Sequence, residues 1–180
     1  MKVLVTGGVR SGKSRHAEAL LSAGEPVTYV APGPVPDADH DPDWAARVAA
    51  HRLRRPVAWS THETGDLEAA VAGADGPVLV DCLGTWLTAA LDHGTDGTGL
   101  WDASSAAASS HVDALLTSAA AVVEAHDHDV VLVTNEVGLG VVPAHRSGRV
   151  FRDLLGTVNQ RLAEVCDEVH LVVAGRVLRL

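Results

Sequence analysis

Short apolar runs alternate with longer amphipathic stretches along the chain. Lys2 to Thr6, Val27 to Ala31, Pro77 to Asp81, Val130 to Thr134 and Glu168 to Ala174 read as strands. Successive side chains of a strand point to opposite faces of its sheet, so a run apolar at every position predicts a strand covered on both sides. Between the strands, Lys13 to about Ala23, Pro42 to Arg55, Gly65 to Ala72, Thr85 to Asp92, Ala103 to His126 and Gly148 to Cys166 read as helices. Asp41 stands as an N-cap with Pro42 at the first helical position, and Pro56 stops that helix. Strands and helices taking turns predict an α/β fold, a mostly parallel sheet with helices on both faces, in one domain over residues 1–180. The last residues form one more strand. Pro32 to Asp41 and Thr95 to Gly99 are loops, and the first is expected to be mobile.

The first strand runs into Gly7-Gly8-Val9-Arg10-Ser11-Gly12-Lys13-Ser14, which matches G-x-x-x-x-G-K-[ST]. The match falls between a strand and a helix, where the chemistry requires it. Glycines let successive backbone N–H groups turn inward around phosphate oxygens, and the helix N-terminus adds partial positive charge. Lys13 then reaches the β and γ phosphates, and Ser14 binds Mg²⁺. An acidic residue at a neighbouring strand end completes such a metal site. Asp81 and Glu136 both fit, with Asp81 favoured.

The helix from Pro42 carries Arg47, His51 and Arg55 at i, i+4 and i+8, with Arg52 and Arg54 beside them. Like charges along one stripe repel unless an anion lies against them. A solvated basic face is the plain alternative to a triphosphate contact. Neutral imidazole is a competent nucleophile near neutral pH, so His51 is a candidate to attack a nucleotide α-phosphate, with the arginines stabilising the charge. His126-Asp127-His128-Asp129 reads as a polar loop rather than a metal tract, and His16 as structural.

Composition narrows the setting. Lys2 and Lys13 are the only lysines, which excludes the Asn-Lys-x-Asp guanine reader of switch GTPases. A net charge of −9 argues against nucleic acid and against anionic membrane. Cys82 and Cys166 give no disulfide framework and read as small buried residues. The apolar run Val3 to Val5 stops at Gly7-Gly8 instead of extending into a signal peptide, and no stretch reaches the ~18 apolar residues that span a bilayer. The expectation is a cytoplasmic protein.

The residues also resemble a known family. The opening Val5-Thr6-Gly7-Gly8-Val9-Arg10-Ser11-Gly12-Lys13-Ser14-Arg15-His16-Ala17-Glu18 is similar to the start of the bifunctional adenosylcobinamide kinase / adenosylcobinamide-phosphate guanylyltransferases. So are Ala45 to Pro56, Trp59, Thr61-His62-Glu63, Val133 to Gly138, Val142-Pro143, Phe151-Arg152-Asp153, Val158-Asn159-Gln160 and Asp167-Glu168-Val169. Ala31-Pro32-Gly33 stands where the family pattern has Ala-Thr, and Asp81 where relatives often have Glu. The resemblance implies a P-loop NTPase fold of RecA-like type and a homotrimer. It implies phosphorylation of adenosylcobinamide by ATP or GTP, then transfer of GMP from GTP through a guanylyl-histidine to adenosylcobinamide phosphate. His51 matches the guanylylated position. Gly7 to Ser14, Ala31, Pro32, Gly33, Arg52, Leu53, Arg54, Arg55, Glu63 and Asp81 match nucleotide-binding positions. Two alternatives remain open at this point: a monofunctional P-loop kinase in which His51 is a surface residue, and a nucleotide-sensing regulator without turnover.

Overall fold

The computed structural model describes residues 1–34, 39–94 and 97–180, apart from the side chains of Trp44 and Arg47. Its strands are β1 (Lys2–Thr6), β2 (Thr28–Val30), β3 (Ser60–His62), β4 (Val78–Asp81), β5 (Val130–Val133), β6 (Glu168–Val173) and β7 (Arg176–Arg179). The helices are α1 (Lys13–Ala19), α2 (Pro42–Arg54), α3 (Leu67–Ala72), α4 (Leu83–His93), α5 (Ser105–Ala125) and α6 (Arg146–Ala163). All seven strands form one sheet in the order β3-β2-β4-β5-β1-β6-β7. It is parallel throughout except for β7, which turns back on β6 through Ala174 and Gly175, both at positive φ.

Alternation along the strands builds two cores. Val3, Val5, Leu79, Val131 and Val133 face α1 through Ala17 and Leu21. Leu4, Val78, Val80, Val130 and Leu132 face the other way and pack with α3, α4, α5 and α6. That double covering is why the strands are apolar at every position. No described side chain of α2 belongs to either core. Polar contacts hold this helix instead: Arg54 to Glu18 at 3.2 Å, Arg55 to Thr61 at 2.8 Å, and Arg52 to Glu63.

Element ends differ from the sequence reading in places. α1 ends at Ala19, with Leu20 as its C-cap, rather than at Ala23. β3 was not expected, because its three exposed, polar residues carry no apolar pattern; pairing with β2 alone makes it a strand. α5 overturns one expectation: its 21 residues are apolar enough, by length and composition alone, to cross a membrane. Alanine supplies that apolarity. One stripe of the helix, Ala108, Val112, Leu116, Ala119 and Val123, is buried in the protein's own core at helical spacing. Both cysteines are free and partly rather than fully buried, and burial pushes the Cys166 thiol up to about 12. His126 Nε2 donates to the Gly76 carbonyl at 3.0 Å, as suits the polar loop. Parts of the two expected loops, residues 35–38 and 95–96, lie outside the described residues.

A histidine relay ties α1 to β6. Buried His170 donates from Nε2 to Glu168 at 2.7 Å, so its Nδ1 accepts from His16 Nε2 at 2.8 Å. Burial first, then the charges of His170 and Arg179, holds His16 below its ordinary 6.5, and the His170 hydrogen bond holds Glu168 below 4.5. Both folded-state values are lowered, so these groups favour the fold at higher pH. The His16 share is complete above 6.5 and fades as pH falls through its folded value; the Glu168 share is complete above 4.5 and fades below it. The urea midpoint should therefore drop on acidification from neutral pH, and His16→Asn should flatten the part of that slope nearest neutrality. Equal slopes in both proteins would contradict this reading.

Candidate nucleotide and transfer site

The phosphate cradle begins at the end of β1. A Cβ on Gly7 would lie 2.4 Å from the Val172 carbonyl oxygen, so only glycine lets the loop pass this close to β6. Gly12, at φ 98°, turns the chain into α1, a left-handed conformation that glycine takes without strain. The Gly12 carbonyl accepts the first helical bond from His16 N at 3.0 Å. Lys13 is 6% exposed, and its Nζ donates to the Gly8 carbonyl at 3.2 Å, which holds the ammonium over the loop.

Asp81 ends β4, two strands from β1 with β5 between them. α2 arrives over the same strand ends. His51 Nδ1 lies 3.8 Å from Asp81 Oδ2, and the Tyr29 hydroxyl donates to that oxygen at 3.0 Å. The Arg55 guanidinium lies on the Tyr29 ring, 3.4 Å from its centroid. Burial, and then the Asp81 charge, raises the Tyr29 phenol far above its ordinary value, so it remains a donor. Lys13, Ser14, Tyr29, His51, Arg55 and Asp81 thus line one cavity of about 160 Å³.

That cavity is smaller than the ~300–1,000 Å³ typical of small-molecule pockets, a size that suits a phosphate group rather than a whole nucleotide. On the P-loop side it adjoins a wide basin of about 1140 Å³, bordered by Arg10, Arg15 and Arg54 and sharing Lys13, Ser14 and His51 with it. Ser11 Oγ and Arg55 Nε are buried with no hydrogen-bond partner among the described residues. Ser11 belongs to the basin wall and Arg55 to the cavity wall, and a free donor at either place suits a phosphate. Ser14 and Asp81 offer hard oxygen donors at one cavity. This suits Mg²⁺, which takes one or two protein oxygens and fills its octahedron with water and phosphate.

Most of the sequence candidates converge here. Ala31, Gly33, Arg55, Glu63 and Asp81 line the cavity with Lys13, Ser14 and His51, while Arg10, Ser11, Gly12 and Arg54 line the basin. His51 and Arg55 of the basic stripe both turn inward; the Arg47 side chain lies outside the described residues. Four residues stand apart. Pro32 lines a neighbouring pocket instead, Arg52 pairs with Glu63 at the rim, Leu53 points away at 88% exposed, and Val9 is 76% exposed at the loop tip. Val9 and Leu53 offer no side-chain contact to the site, and Val9 has only its backbone to give. Glu136 does not line the cavity; its carboxylate accepts from Gly138 N at 2.5 Å in its own turn. The sequence reading missed Tyr29, Thr85 and Asn135. Tyr29 left a signal, being the only tyrosine of the chain and set in an apolar strand.

A P-loop on the inner strand β1, with the acid-bearing strand one place removed across β5, defines a P-loop nucleotide enzyme of RecA-like strand order. Within that class, the chain belongs to the cobinamide kinase / cobinamide phosphate guanyltransferase family, whose model matches residues 3–180. It is 42% identical over 181 residues to the bifunctional adenosylcobalamin biosynthesis protein CobU of Salmonella typhimurium, covering 97% of each chain. The CobU protein of Escherichia coli is similar to the same extent, 42% over 181 residues and 97% of each chain. The bifunctional protein CobP of Pseudomonas aeruginosa is 37% identical over 184 residues, covering 97% of this chain and 94% of that one.

Proposed function

We infer that both transfers of this bifunctional kinase and guanylyltransferase run through the one cleft. The observation that carries the reading is that Lys13, Ser14, Asp81 and His51, drawn from three separate elements, line a single cavity. In the first transfer, the hydroxyl of adenosylcobinamide attacks the γ-phosphorus of ATP or GTP, the nucleoside diphosphate leaves, and the hydroxyl proton is released. The P-loop amides and Lys13 hold the β and γ phosphates in line. Mg²⁺, held by Ser14 and Asp81, supplies charge neutralisation on the phosphate oxygens when bound.

In the second transfer, His51 attacks the α-phosphorus of GTP, a P–N bond forms, and pyrophosphate leaves. With Nδ1 facing Asp81, a neutral ring carries its proton there and presents the Nε2 lone pair. The positive charge that develops on the ring then lies against the carboxylate, and Arg55 faces the phosphate oxygens. A phosphate oxygen of adenosylcobinamide phosphate next attacks the same phosphorus; the P–N bond breaks and adenosylcobinamide-GDP is released. The enzyme works in the cytoplasm as a homotrimer, and the exposed apolar residues Leu139, Val141 and Val142 support contact with another copy. The acidic net charge supports a reading without nucleic-acid or membrane partners.

With ATP, Mg²⁺ and adenosylcobinamide, the protein should yield a phosphorylated corrinoid, and added GTP should release pyrophosphate in step with adenosylcobinamide-GDP. Phosphorylation without pyrophosphate release would overturn the guanylyl half. Asp81→Asn should lower Mg²⁺-dependent turnover by roughly 10²-fold while metal-free nucleotide binding changes far less. If Glu136→Gln gives that pattern and Asp81→Asn does not, the metal belongs to Glu136.

A further inference from the structure

Beside the transfer cavity lies a second pocket, of about 810 Å³, that no step above uses. Its walls are α4, the start of α5's buried run, and the segment after β2. It contains no P-loop residue, yet it shares Gly33, Pro34, Glu63 and Thr85 with the cavity. The cavity therefore opens on two sides, toward the basic basin through Lys13, Ser14 and His51, and toward this pocket through Glu63 and Thr85.

The two sides differ in chemistry. The basin carries Arg10, Lys13, Arg15 and Arg54 against Asp41 and Asp43, an excess of cations that suits a polyphosphate. Among the described residues the pocket carries no lysine or arginine, and three carboxylates, Asp41, Glu63 and Asp92, border it. Its wall is mainly apolar, with Pro32, Trp86, Ala89, Ala90 and Leu115. Trp86, at the back of this wall, is buried in the core and spends its N–H on the Gly65 carbonyl at 3.0 Å. Ala89 and Ala90 keep the wall low. Neutral polar groups sit among them. His93 Nδ1 donates to the Ala89 carbonyl at 2.8 Å, which leaves Nε2 as an acceptor. Thr64, Thr88 and His111 add hydroxyl and imidazole groups. Apolar walls with a few placed hydrogen-bonding groups and an acidic border suit a large neutral or cationic ligand rather than a phosphate.

We propose that this pocket binds the corrin macrocycle of the acceptor, with its peripheral amides on the neutral polar groups and its aminopropanol arm passing Glu63 and Thr85 into the cavity. The proposal rests on the functional reading above and extends it to the acceptor. It places the donor where the cavity is bordered by Lys13 and His51 and the acceptor where it is bordered by Glu63 and Thr85, so the guanylyl group loaded from the basin is delivered within the cavity.

The test uses two variants, Ala89→Trp to fill the pocket and Leu115→Glu to charge its wall. Leu115 is 36% exposed, so the second tolerates substitution even if the first disturbs packing. Corrinoid affinity, measured by equilibrium dialysis of cobinamide without nucleotide, and the KM for the corrinoid should each worsen roughly tenfold or more. The KM for GTP and the uptake of label by the protein from α-labelled GTP should hold, since neither needs the acceptor. Unchanged corrinoid affinity in both variants overturns the proposal, as does a loss that falls on GTP instead. A wild-type protein that never phosphorylates cobinamide refutes the functional reading itself, a result distinct from either.

Discussion

His51→Ala should lose guanylyl transfer by roughly 10³-fold or more while keeping phosphorylation of the corrinoid within about tenfold of the parent. The asymmetry follows from what each reaction asks of the protein. Phosphoryl transfer needs the P-loop, Lys13 and Mg²⁺, with the acceptor hydroxyl as nucleophile. Guanylyl transfer by two displacements needs a protein nucleophile, and His51 is the nucleophilic side chain that faces Asp81 across the cavity. His16 does not line the cavity and is engaged with His170 at 2.8 Å. Separate assays of corrinoid phosphate and of pyrophosphate release check the split. An equal fall in both activities would mean that the ring only positions α2.

Lys13→Ala should depress both reactions. The ammonium is 6% exposed and anchored to Gly8, so its charge acts in a dry cradle where water screens it little. Removing such a donor to reacting phosphates costs roughly 2–4 kcal/mol, about 30-fold to 1,000-fold in rate. No second lysine can compensate, because Lys2 starts β1 at the opposite end of that strand. Lys13→Arg should not restore activity, since a planar fork does not fit the space of a compact ammonium. Steady-state kinetics with GTP and with ATP provide the check. Parent-like kcat/KM in Lys13→Ala would remove the P-loop from the mechanism.

The fold was legible where burial dictates residue type. Val78 to Val80 and Val130 to Val133 are covered on both faces, and nothing but an apolar run satisfies that position. β3 was illegible for the converse reason, since an exposed edge strand has no face to bury. In the site, glycine and lysine spacing announced the cradle because backbone geometry and charge leave few substitutes. The direction of α2 was not written in its pattern. A stripe of Arg and His suits solvent as well as phosphate, and only the approach of the helix to β4 turns His51 and Arg55 inward. Tyr29 escaped notice because its role lies in one hydroxyl, bonded to a residue 52 positions away. The fold brings Asp81 to the cavity and turns Glu136 onto Gly138, a difference that strand-end position alone does not carry.

The central claim is that His51 carries the guanylyl group, and direct labelling tests it. The protein should be incubated with α-labelled GTP and Mg²⁺ without corrinoid, denatured, digested and mapped. The account predicts one labelled peptide carrying GMP on His51, with a bond that is acid-labile and alkali-stable, lost on adding pyrophosphate and chased into product by the corrinoid phosphate. Absence of covalent label, or label of the same lability in His51→Ala, would contradict it.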